Sequence, residues 1–369
     1  MRTAELDYDF DPTLVATAPA EPRDTARLLV VDRARGSIEH RTVRDLTEIL
    51  RANDQLFVNE TSVLRARLAL FDTARDRSTE GLLLEPGVDA HTWRVLVRHA
   101  KKFHDGDLLS LRDAHGHDHG DQLQLIRRDA EAWIARFSTG PSGGGIATLL
   151  ERSGLTPLPP YILKARKDRQ QSFDDDLDRA EYQTVYAQES ARASVAAPTA
   201  GLHFTDELLQ KLAGRAIGAT AITLHVGAGT FKPVDVDDLA DHAMHRESYT
   251  VSTDALASLR RLAPLRAAAS ARIVAVGTTT VRALESLPAD ALTRTDAVNA
   301  STDILIAPGF SFRFTDALLT NFHLPRSTLF MLVCAFSGLE RMREAYTQAM
   351  ASGYRFYSYG DACLLIRTP

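Results

Sequence analysis

Cysteine is scarce in this sequence, and the absence of cysteine motifs, long apolar runs and a signal segment excludes several classes of protein. Only Cys334 and Cys363 occur among the 369 residues, both within apolar runs, so we expect reduced core thiols. Without a C-x-x-C pair they do not predict a cysteine-ligated zinc site. No apolar run is long enough to span a bilayer, and the acidic residues 1–9 lack the apolar segment of a secretory signal. We therefore expect a cytoplasmic protein with no membrane contact.

Three common catalytic signatures are also missing. No G-x-x-x-x-G-K-[ST] occurs, which argues against a Walker-type NTPase, and no G-x-G-x-x-G opens a predicted helix, so a dinucleotide-binding fold has no support. The zinc motif H-E-x-x-H is absent too. His115, His117 and His119 lie close together, but the flanking glycine and aspartate favour a hydrophilic hairpin tip over a metal site. We predict no bound metal.

A strong positive charge is absent as well. The formal net charge is -5, which argues against a protein that coats nucleic acid. One local basic strip would still be enough to contact an RNA, and two strips exist, at 164–169 and 98–102. Basic clusters of this kind are more often solvated loops than RNA contacts, so the charge pattern alone leaves both interpretations open.

The length of the chain predicts two domains, because 369 residues exceed one ordinary core. Between about 60 and 140, short strand candidates follow one another with no convincing helix among them, which is typical of a small antiparallel barrel or sandwich. The Pro-Ser-Gly-Gly-Gly sequence at 141–145 predicts a linker. We predict an α/β domain in two parts, 1–59 and 146–369, with an inserted β-barrel domain at 60–145.

Apolar, β-branched strands alternate with helices in the second half of the chain, as in α/β proteins. Strands are predicted at 219–226, 271–276 and 302–307, and a fourth ends within 318–325. We predict a mixed or parallel sheet flanked by helices. Ligands of such sheets bind beyond the carboxyl ends of the strands. That rule gathers small and polar residues from three of these strand ends: His225, Gly227, Gly229, Thr278, Thr279, Arg282, Asn321 and His323.

Two turns are candidate ligand contacts. The turn at 277–280 begins a predicted helix, and its free amides suit an anionic group, although ordinary helix capping would explain it too. The stretch Ser194–Phe204 brings Thr199, Gly201 and His203 to the start of a helix that Thr205 can cap. A plain turn with a core histidine explains that stretch equally well.

Long, ordered motifs resemble one known family. They are Pro157–Ile162, Tyr182–Ala187, Ser194–Phe204, Leu224–Phe231, His242–His245, Gly277–Ser286, Thr320–Thr328 and Tyr354–Ala362. On these motifs the chain resembles the S-adenosylmethionine:tRNA ribosyltransferase-isomerases of queuosine biosynthesis. A weaker match at Glu21–Asp24 and Arg27–Leu29 extends the similarity over nearly the whole chain.

The resemblance implies an unusual reaction. S-adenosylmethionine would give its ribosyl group, and not its methyl group, to the aminomethyl group of 7-aminomethyl-7-deazaguanine at the tRNA wobble position. Rearrangement to an epoxycyclopentane would release adenine and methionine and leave epoxyqueuosine tRNA. The resemblance further implies S-adenosylmethionine and tRNA as partners, no bound cofactor, and an α/β domain that carries an inserted barrel. We expect a monomer.

That chemistry needs a base for the proton beside the sulfonium and an acid for the departing adenine. The candidates are His203, His225, His323 and Asp361. The candidate substrate-binding residues are Thr199, Gly201, Gly227, Gly229, Thr230, Thr278, Thr279, Arg282, Asn321 and Tyr359. Of these, Thr278, Thr279 and Arg282 would hold the methionine carboxylate. The candidate tRNA contacts are Tyr161, Lys164, Arg166 and Lys167.

Some positions depart from the family pattern. The usual Asn-Asp-Thr-Arg-Val contains Glu60 and Ser62 here, and Glu181 replaces the arginine that usually precedes Tyr182. The loss of two arginines would weaken charge pairing with tRNA or substrate. Two alternatives therefore stay open: a paralogue of the same fold with a different acceptor, and a non-catalytic tRNA-binding relative.

Overall fold

Two large sheets organise the protein. The computed structural model describes residues 2–89, 91–141, 143–227, 236–239, 242 and 244–367. In that part of the chain one sheet is mixed and has nine strands, and the other is antiparallel and has seven. Within these described residues, no helix is both long enough and apolar enough to cross a bilayer.

The strands come in three groupings. The nine-stranded sheet consists of β1 Arg27–Asp32, β2 Ser37–Thr42, β3 Gln55–Asn59, β13 Gly218–Leu224, β14 Glu247–Val251, β15 Ile273–Val276, β16 Val298–Thr302, β17 Ala317–Asn321 and β18 Ala362–Ile366. The antiparallel sheet consists of β5 Arg67–Asp72, β6 Arg77–Pro86, β7 Thr92–Val97, β8 Leu108–Arg112, β9 Asp118–Asp129, β10 Ala132–Ser138 and β11 Gly154–Leu155. A short pair joins β4 Ser62–Val63 to β12 Arg192–Ser194.

Helices pack against these sheets. Those with α geometry are α1 Leu46–Ile49, α2 Ile146–Ser153, α3 Pro160–Asp168, α4 Asp175–Glu181, α5 Asp206–Gly214, α6 Thr253–Ala267, α7 Thr278–Glu285, α8 Thr328–Ser337 and α9 Leu339–Ala351. Strand alternation explains the layers: Leu29 packs in one cluster with residues of α8 and α9, whereas its neighbour Leu28 packs in another with residues of α5. A strand that is covered on both faces must be apolar throughout, as Ile273–Val276 is.

The order of the mixed sheet explains where ligands can bind. The strands run β16-β14-β13-β3-β15-β17-β18-β1-β2, and β13, β3, β15 and β17 are mutually parallel. β18 is antiparallel to β17, and β1 is parallel to β18. Among these six strands, one edge of the sheet therefore gathers the carboxyl ends of four and the amino ends of two. The predicted α/β architecture is confirmed.

The antiparallel sheet closes into a barrel. Its ring is β5-β6-β7-β10-β9-β8, and β8 pairs back onto β5. Apolar side chains that include Leu68, Leu109 and Trp133 fill the barrel core. Antiparallel strands joined by short turns need no crossover helices, which is why the sequence shows none here. The inserted antiparallel barrel is confirmed, while the boundaries 1–59, 60–145 and 146–369 stay a prediction.

One predicted strand does not form, and two short helices begin at residues suited to a helix start. Residues 302–307 are not a strand, because β16 ends at Thr302 and 303–307 form no regular element. The helix α3 begins at Pro160, a residue well suited to a first helical turn. The Asp174 carboxylate accepts hydrogen bonds from the amides of residues 176 and 177 and starts α4.

Candidate active site

A cavity of about 310 Å³ opens at the edge of the mixed sheet where the parallel strands end. The loop after β12, the turn after β15, the end of β17 and the loop before β18 form its walls. It is lined by Tyr161, Ala196, Ala197, Pro198, Thr199, Ala200, Val226, Gly277, Thr278, Thr279, Thr320, Asn321, Phe322, His323, Leu324, Pro325, Ser327, Leu329, Tyr357 and Ser358. The rule that ligands bind beyond strand ends therefore led to a real cavity.

A hydrogen-bonded chain joins three of the predicted residues. The Thr199 hydroxyl donates to Asn321 Oδ1 at 2.9 Å, and Asn321 Nδ2 donates to His203 Nε2 at 3.2 Å. Pro198 and a 3-10 helix at Thr199–His203 bring these side chains to the end of β17. Asn321 faces the cavity and His203 lies behind it, so His203 orients the amide.

His323 is the imidazole that lines the cavity itself. Its backbone N–H donates to the Tyr346 hydroxyl at 3.0 Å, and its Nε2 lies 2.9 Å from the Thr320 hydroxyl. The Tyr8 hydroxyl donates to the His323 carbonyl oxygen. Burial lowers the pKa of His323 to about 3, because a charged imidazolium would lose its hydration there. The ring is therefore neutral at neutral pH.

His203 predicts a measurable pH dependence of stability. Burial lowers its pKa from 6.5 to about 4, against the opposing field of Asp361. The unfolded chain takes up a proton near pH 6.5 and the folded chain only near pH 4, so acid favours unfolding between those values. Relative to a His203→Gln variant, the wild type should lose up to about 1.4 kcal/mol of stability per pH unit within that window. Urea unfolding of both proteins at several pH values checks this, and parallel pH curves would contradict it.

The turn after β15 presents backbone amides to the cavity. Gly277 has a φ of 90°, which a residue with a side chain rarely adopts, and no side chain caps α7 there. The Thr279 hydroxyl is buried, lines the cavity and has no hydrogen-bond partner. Free amides at a helix start and an unpartnered hydroxyl suit an anionic or polar ligand group. Helix capping by a threonine, the competing interpretation, is not what the geometry shows.

Arg282 lies one helical turn beyond Thr279, in a smaller adjoining space of about 30 Å³. Leu329 lines both spaces. Arg282 Nη1 donates to Glu247 Oε2 in a buried ion pair, whereas its Nε and Nη2 have no partner. The Gly227 amide donates to the other oxygen of Glu247 at 3.4 Å. The guanidinium can therefore still donate two hydrogen bonds to a ligand.

Four predicted residues lie apart from the cavity. His225 Nδ1 is 3.1 Å from the Thr61 hydroxyl, outside the cavity lining. Tyr359 is buried, and its ring packs edge-on against Tyr182. Gly201 serves packing, since a Cβ there would come within 2.0 Å of the Tyr186 hydroxyl. Asp361 is 2 % exposed and is held by arginines. Gly229 and Thr230 lie outside the described residues.

The predicted tRNA contacts divide into different environments on α3. Tyr161 lines the cavity, where its hydroxyl lies 2.6 Å from the Ser358 hydroxyl. Arg166 binds both oxygens of Asp178, and its side chain is 12 % exposed, so it is not available to an RNA. Lys164 and Lys167 are exposed. Sequence spacing alone could not separate the buried face of this helix from the exposed one.

Sequence reasoning missed several cavity residues. Tyr357 and Ser358 come from the loop before β18, which reaches this edge because β18 runs antiparallel to β17. Both residues belong to the motif Tyr354–Ala362, in which Tyr359 and Asp361 alone are predicted from the sequence as candidate site residues. Glu247 gave no signal, since a lone glutamate at a strand start is ordinary.

A family model described as "Queuosine biosynthesis protein" matches residues 3–365. The chain belongs to the queuosine biosynthesis protein family. Two curated relatives are named S-adenosylmethionine:tRNA ribosyltransferase-isomerase. The one from Gluconacetobacter diazotrophicus is 44% identical over 370 residues, covering 99% of this chain and 97% of the relative. The one from Rhodopseudomonas palustris strain BisB5 is 46% identical over 382 residues, covering 100% and 99%.

A solved structure supports the same assignment. The crystal structure of the S-adenosylmethionine tRNA ribosyltransferase from Thermotoga maritima has a TM-score of 0.53 and 32% sequence identity. The match covers 98% of this chain and 100% of that one. Both the barrel and the mixed sheet therefore fall within the region shared with the queuosine biosynthesis family.

Proposed function

We propose that this chain is an S-adenosylmethionine:tRNA ribosyltransferase-isomerase. It transfers the ribosyl group of S-adenosylmethionine to 7-aminomethyl-7-deazaguanine at the tRNA wobble position and isomerises it, releasing adenine and methionine. The observation that carries the proposal is the identity of 44% to 46% over nearly the full length to relatives that bear this name. A cavity that combines a neutral imidazole, free amides and polar side chains is consistent with it.

His323 is the group that exchanges protons in this proposal. Burial keeps the His323 ring neutral but also makes it a weaker base, so the proton that it accepts must be the one activated by the adjacent sulfonium. The same burial makes the imidazolium a strong acid, which suits protonation of the departing adenine. His203 acts through Asn321 as a positioning residue, since the amide lies between it and the cavity.

Arg282 and Glu247 bind the methionyl end of S-adenosylmethionine. The two unpartnered guanidinium N–H groups of Arg282 suit the α-carboxylate, and the Glu247 carboxylate suits the α-ammonium. Thr279 connects this pair to the cavity, because it lies on the same face of α7 as Arg282. The zwitterion is thus matched by a pair of opposite charges.

The assignment of Arg282 to the α-carboxylate predicts that a variant at this position distinguishes S-adenosylmethionine less well from its decarboxylated analogue. Arg282→Lys keeps the charge beside Glu247 but loses the planar fork, so KM for S-adenosylmethionine should rise by about tenfold. The preference for S-adenosylmethionine over its decarboxylated analogue should fall by about as much. Arg266→Lys is the matched control, because Arg266 forms a two-pronged pair with Asp316 at the opposite edge of the sheet. Unchanged discrimination in Arg282→Lys would contradict the assignment.

One assay tests the proposed function. The protein is incubated with S-adenosylmethionine and a tRNA that carries 7-aminomethyl-7-deazaguanine, and adenine release and nucleoside mass are followed. Adenine together with a nucleoside of epoxyqueuosine mass is the expected result. Adenine without that nucleoside would indicate a paralogue with another acceptor, and RNA binding without adenine would indicate a non-catalytic relative. The full-length similarity to relatives with one shared name favours neither alternative.

The reaction as proposed uses S-adenosylmethionine as a substrate and no bound cofactor. The protein works as a monomer in the cytoplasm, where tRNA and S-adenosylmethionine are both present. Two free, buried thiols, Cys334 and Cys363, are consistent with a reducing compartment.

A further inference from the structure

We propose that a second site, the cleft between the barrel and α4, binds one unpaired nucleotide of the RNA substrate. This inference rests on the proposed function. The cleft has a volume of about 430 Å³, enough for a nucleobase with its ribose. Its walls come from the segment that leads into the barrel, Ser62–Arg65, from Thr156 and Pro157 after β11, and from the chain between Asp176 and Glu189.

Residues in the wall of this cleft carry buried polar atoms without partners. The hydroxyls of Thr156 and Thr184 have no hydrogen-bond partner, although these residues are only 4% and 5% exposed. The Nε of Arg65 is likewise buried and unpartnered, while its Nη2 pairs with Asp175. A buried polar group without a partner costs stability, so its retention in a cleft wall points to a ligand that completes it.

Exposed apolar side chains occur on the same segment. Among the described residues the large exposed apolar side chains are Val88, Leu108, Phe173, Leu177 and Val185, and the last three lie just before, within and after α4. The Arg67 guanidinium lies 5.1 Å from the centre of the Phe173 ring. Arg67 pairs through its backbone with Leu155, next to Thr156 of the cleft. Phe173 is therefore an exposed aromatic side chain two residues before α4, the helix whose Asp176 and Arg179 line the cleft.

This combination fits an unpaired nucleotide better than a phosphate alone. Nucleobases offer an apolar face for stacking and a polar edge for hydrogen bonds, and RNA-binding proteins read unpaired bases in this way. Arg65 and Arg179 supply positive charge in the cleft, but Asp176 and Glu189 line it as well. Carboxylates repel phosphate and accept hydrogen bonds from the N–H groups of a base edge.

The cleft lies next to the cavity. Tyr182 and Val63 of the cleft pack in one apolar cluster with Ala197 of the cavity wall. Gly201 belongs to the same 3-10 turn as Thr199. Thr184 lies beside Gly201, since a Cβ on Gly201 would come within 2.8 Å of the Thr184 methyl group. A nucleotide in the cleft would thus neighbour the base that enters the cavity, as expected when the bases of an unpaired loop are splayed apart.

Direct RNA binding tests the proposal. The probe is a hairpin RNA with the sequence of a wobble-containing anticodon stem–loop, and the comparison is the same stem as a fully paired duplex. Phe173→Ala should raise the Kd for the hairpin by about tenfold, the loss of one stacking contact, and leave duplex binding unchanged. Thr184→Val removes only the unpartnered hydroxyl and should raise the hairpin Kd by about fivefold. Leu108→Ala is the matched control, since Leu108 is an exposed apolar residue on β8 that is 51% exposed against 42% for Phe173.

The outcomes separate this inference from the proposed function. Hairpin binding by Phe173→Ala and Thr184→Val within twofold of the wild type would overturn the cleft assignment, even if epoxyqueuosine tRNA is formed. Weakened binding in both variants, with an unchanged KM for S-adenosylmethionine, supports it. If the wild type binds the hairpin but releases no adenine, the proposed reaction fails while the cleft assignment is still judged by the variants. Both substitutions preserve volume or lie on the surface, and circular dichroism checks that they fold.

Discussion

Replacing His323 with asparagine is expected to lower kcat by about two to four orders of magnitude, the range for loss of a general acid–base group. Asparagine can retain a hydrogen bond to the neighbouring Thr320 hydroxyl, which lies 2.9 Å from the imidazole, so the cavity wall should persist. KM for S-adenosylmethionine should change little, because the ring acts on a proton and is not assigned to binding. Single-turnover adenine release measures the chemical step directly.

His225 provides the control for that experiment. It is a histidine at the end of a parallel strand too, but it lies against Thr61 and outside the cavity lining. His225→Asn should therefore retain most of the rate. A loss of less than tenfold in His323→Asn would refute its role as the proton acceptor.

His203 separates positioning from proton transfer. If it acts by orienting Asn321, then His203→Gln should recover much of the rate that His203→Ala loses, because a glutamine oxygen can accept the same amide hydrogen bond. A base at this position could not be replaced by an amide. A His203→Ala variant that keeps the rate within tenfold would exclude the base role that the sequence first suggested.

Regular strand ends could be predicted from the sequence. β15 and β17 are short, continuous apolar runs that stop at polar residues, and parallel neighbours place their ends at one edge. The positions of Thr278 and His323 in the cavity follow from that geometry. The run at 302–307 has a similar composition, but Ile306 packs into the core from a segment with no regular structure. An apolar run alone does not distinguish a strand from a buried connection.

The partners of charged side chains could not be predicted. Among the three histidines at 115–119, His117 and His119 both bind Asp113 through their side chains, and the spacing does not reveal this contact. Arg166 is a predicted RNA contact, but the fold pairs it with the buried Asp178 of α4, and the sequence does not reveal that pair. In each case the fold brings a charged residue and its partner together, and that partner determines whether the residue is available to bind a ligand.

Asp361 is the residue for which this matters most. The sequence marks it as a carboxylate at a strand start, but the fold surrounds it with donors. Its oxygens accept from the Arg27 backbone amide at 3.1 Å, Arg27 Nε at 3.2 Å and the Arg355 backbone amide at 2.8 Å. Arg355 Nη2 lies 3.5 Å away. We propose that Asp361 fixes the loop before β18, and with it Tyr357 and Ser358 in the cavity wall.

Asp361→Ala is therefore expected to destabilise the fold by about 1–3 kcal/mol, because it leaves two backbone amides without their acceptor, whereas the arginine partners are partly exposed and can be solvated. Urea unfolding measures this, and Asp296→Ala is the matched control. Asp296 also pairs with an arginine but is exposed, so its loss should leave the stability nearly unchanged. If the Asp361→Ala protein is as stable as the control but inactive, the Asp361 carboxylate takes part in the reaction itself. Stability and rate must thus be measured on the same variant, because only their combination separates a carboxylate that holds the cavity wall from one that acts within it.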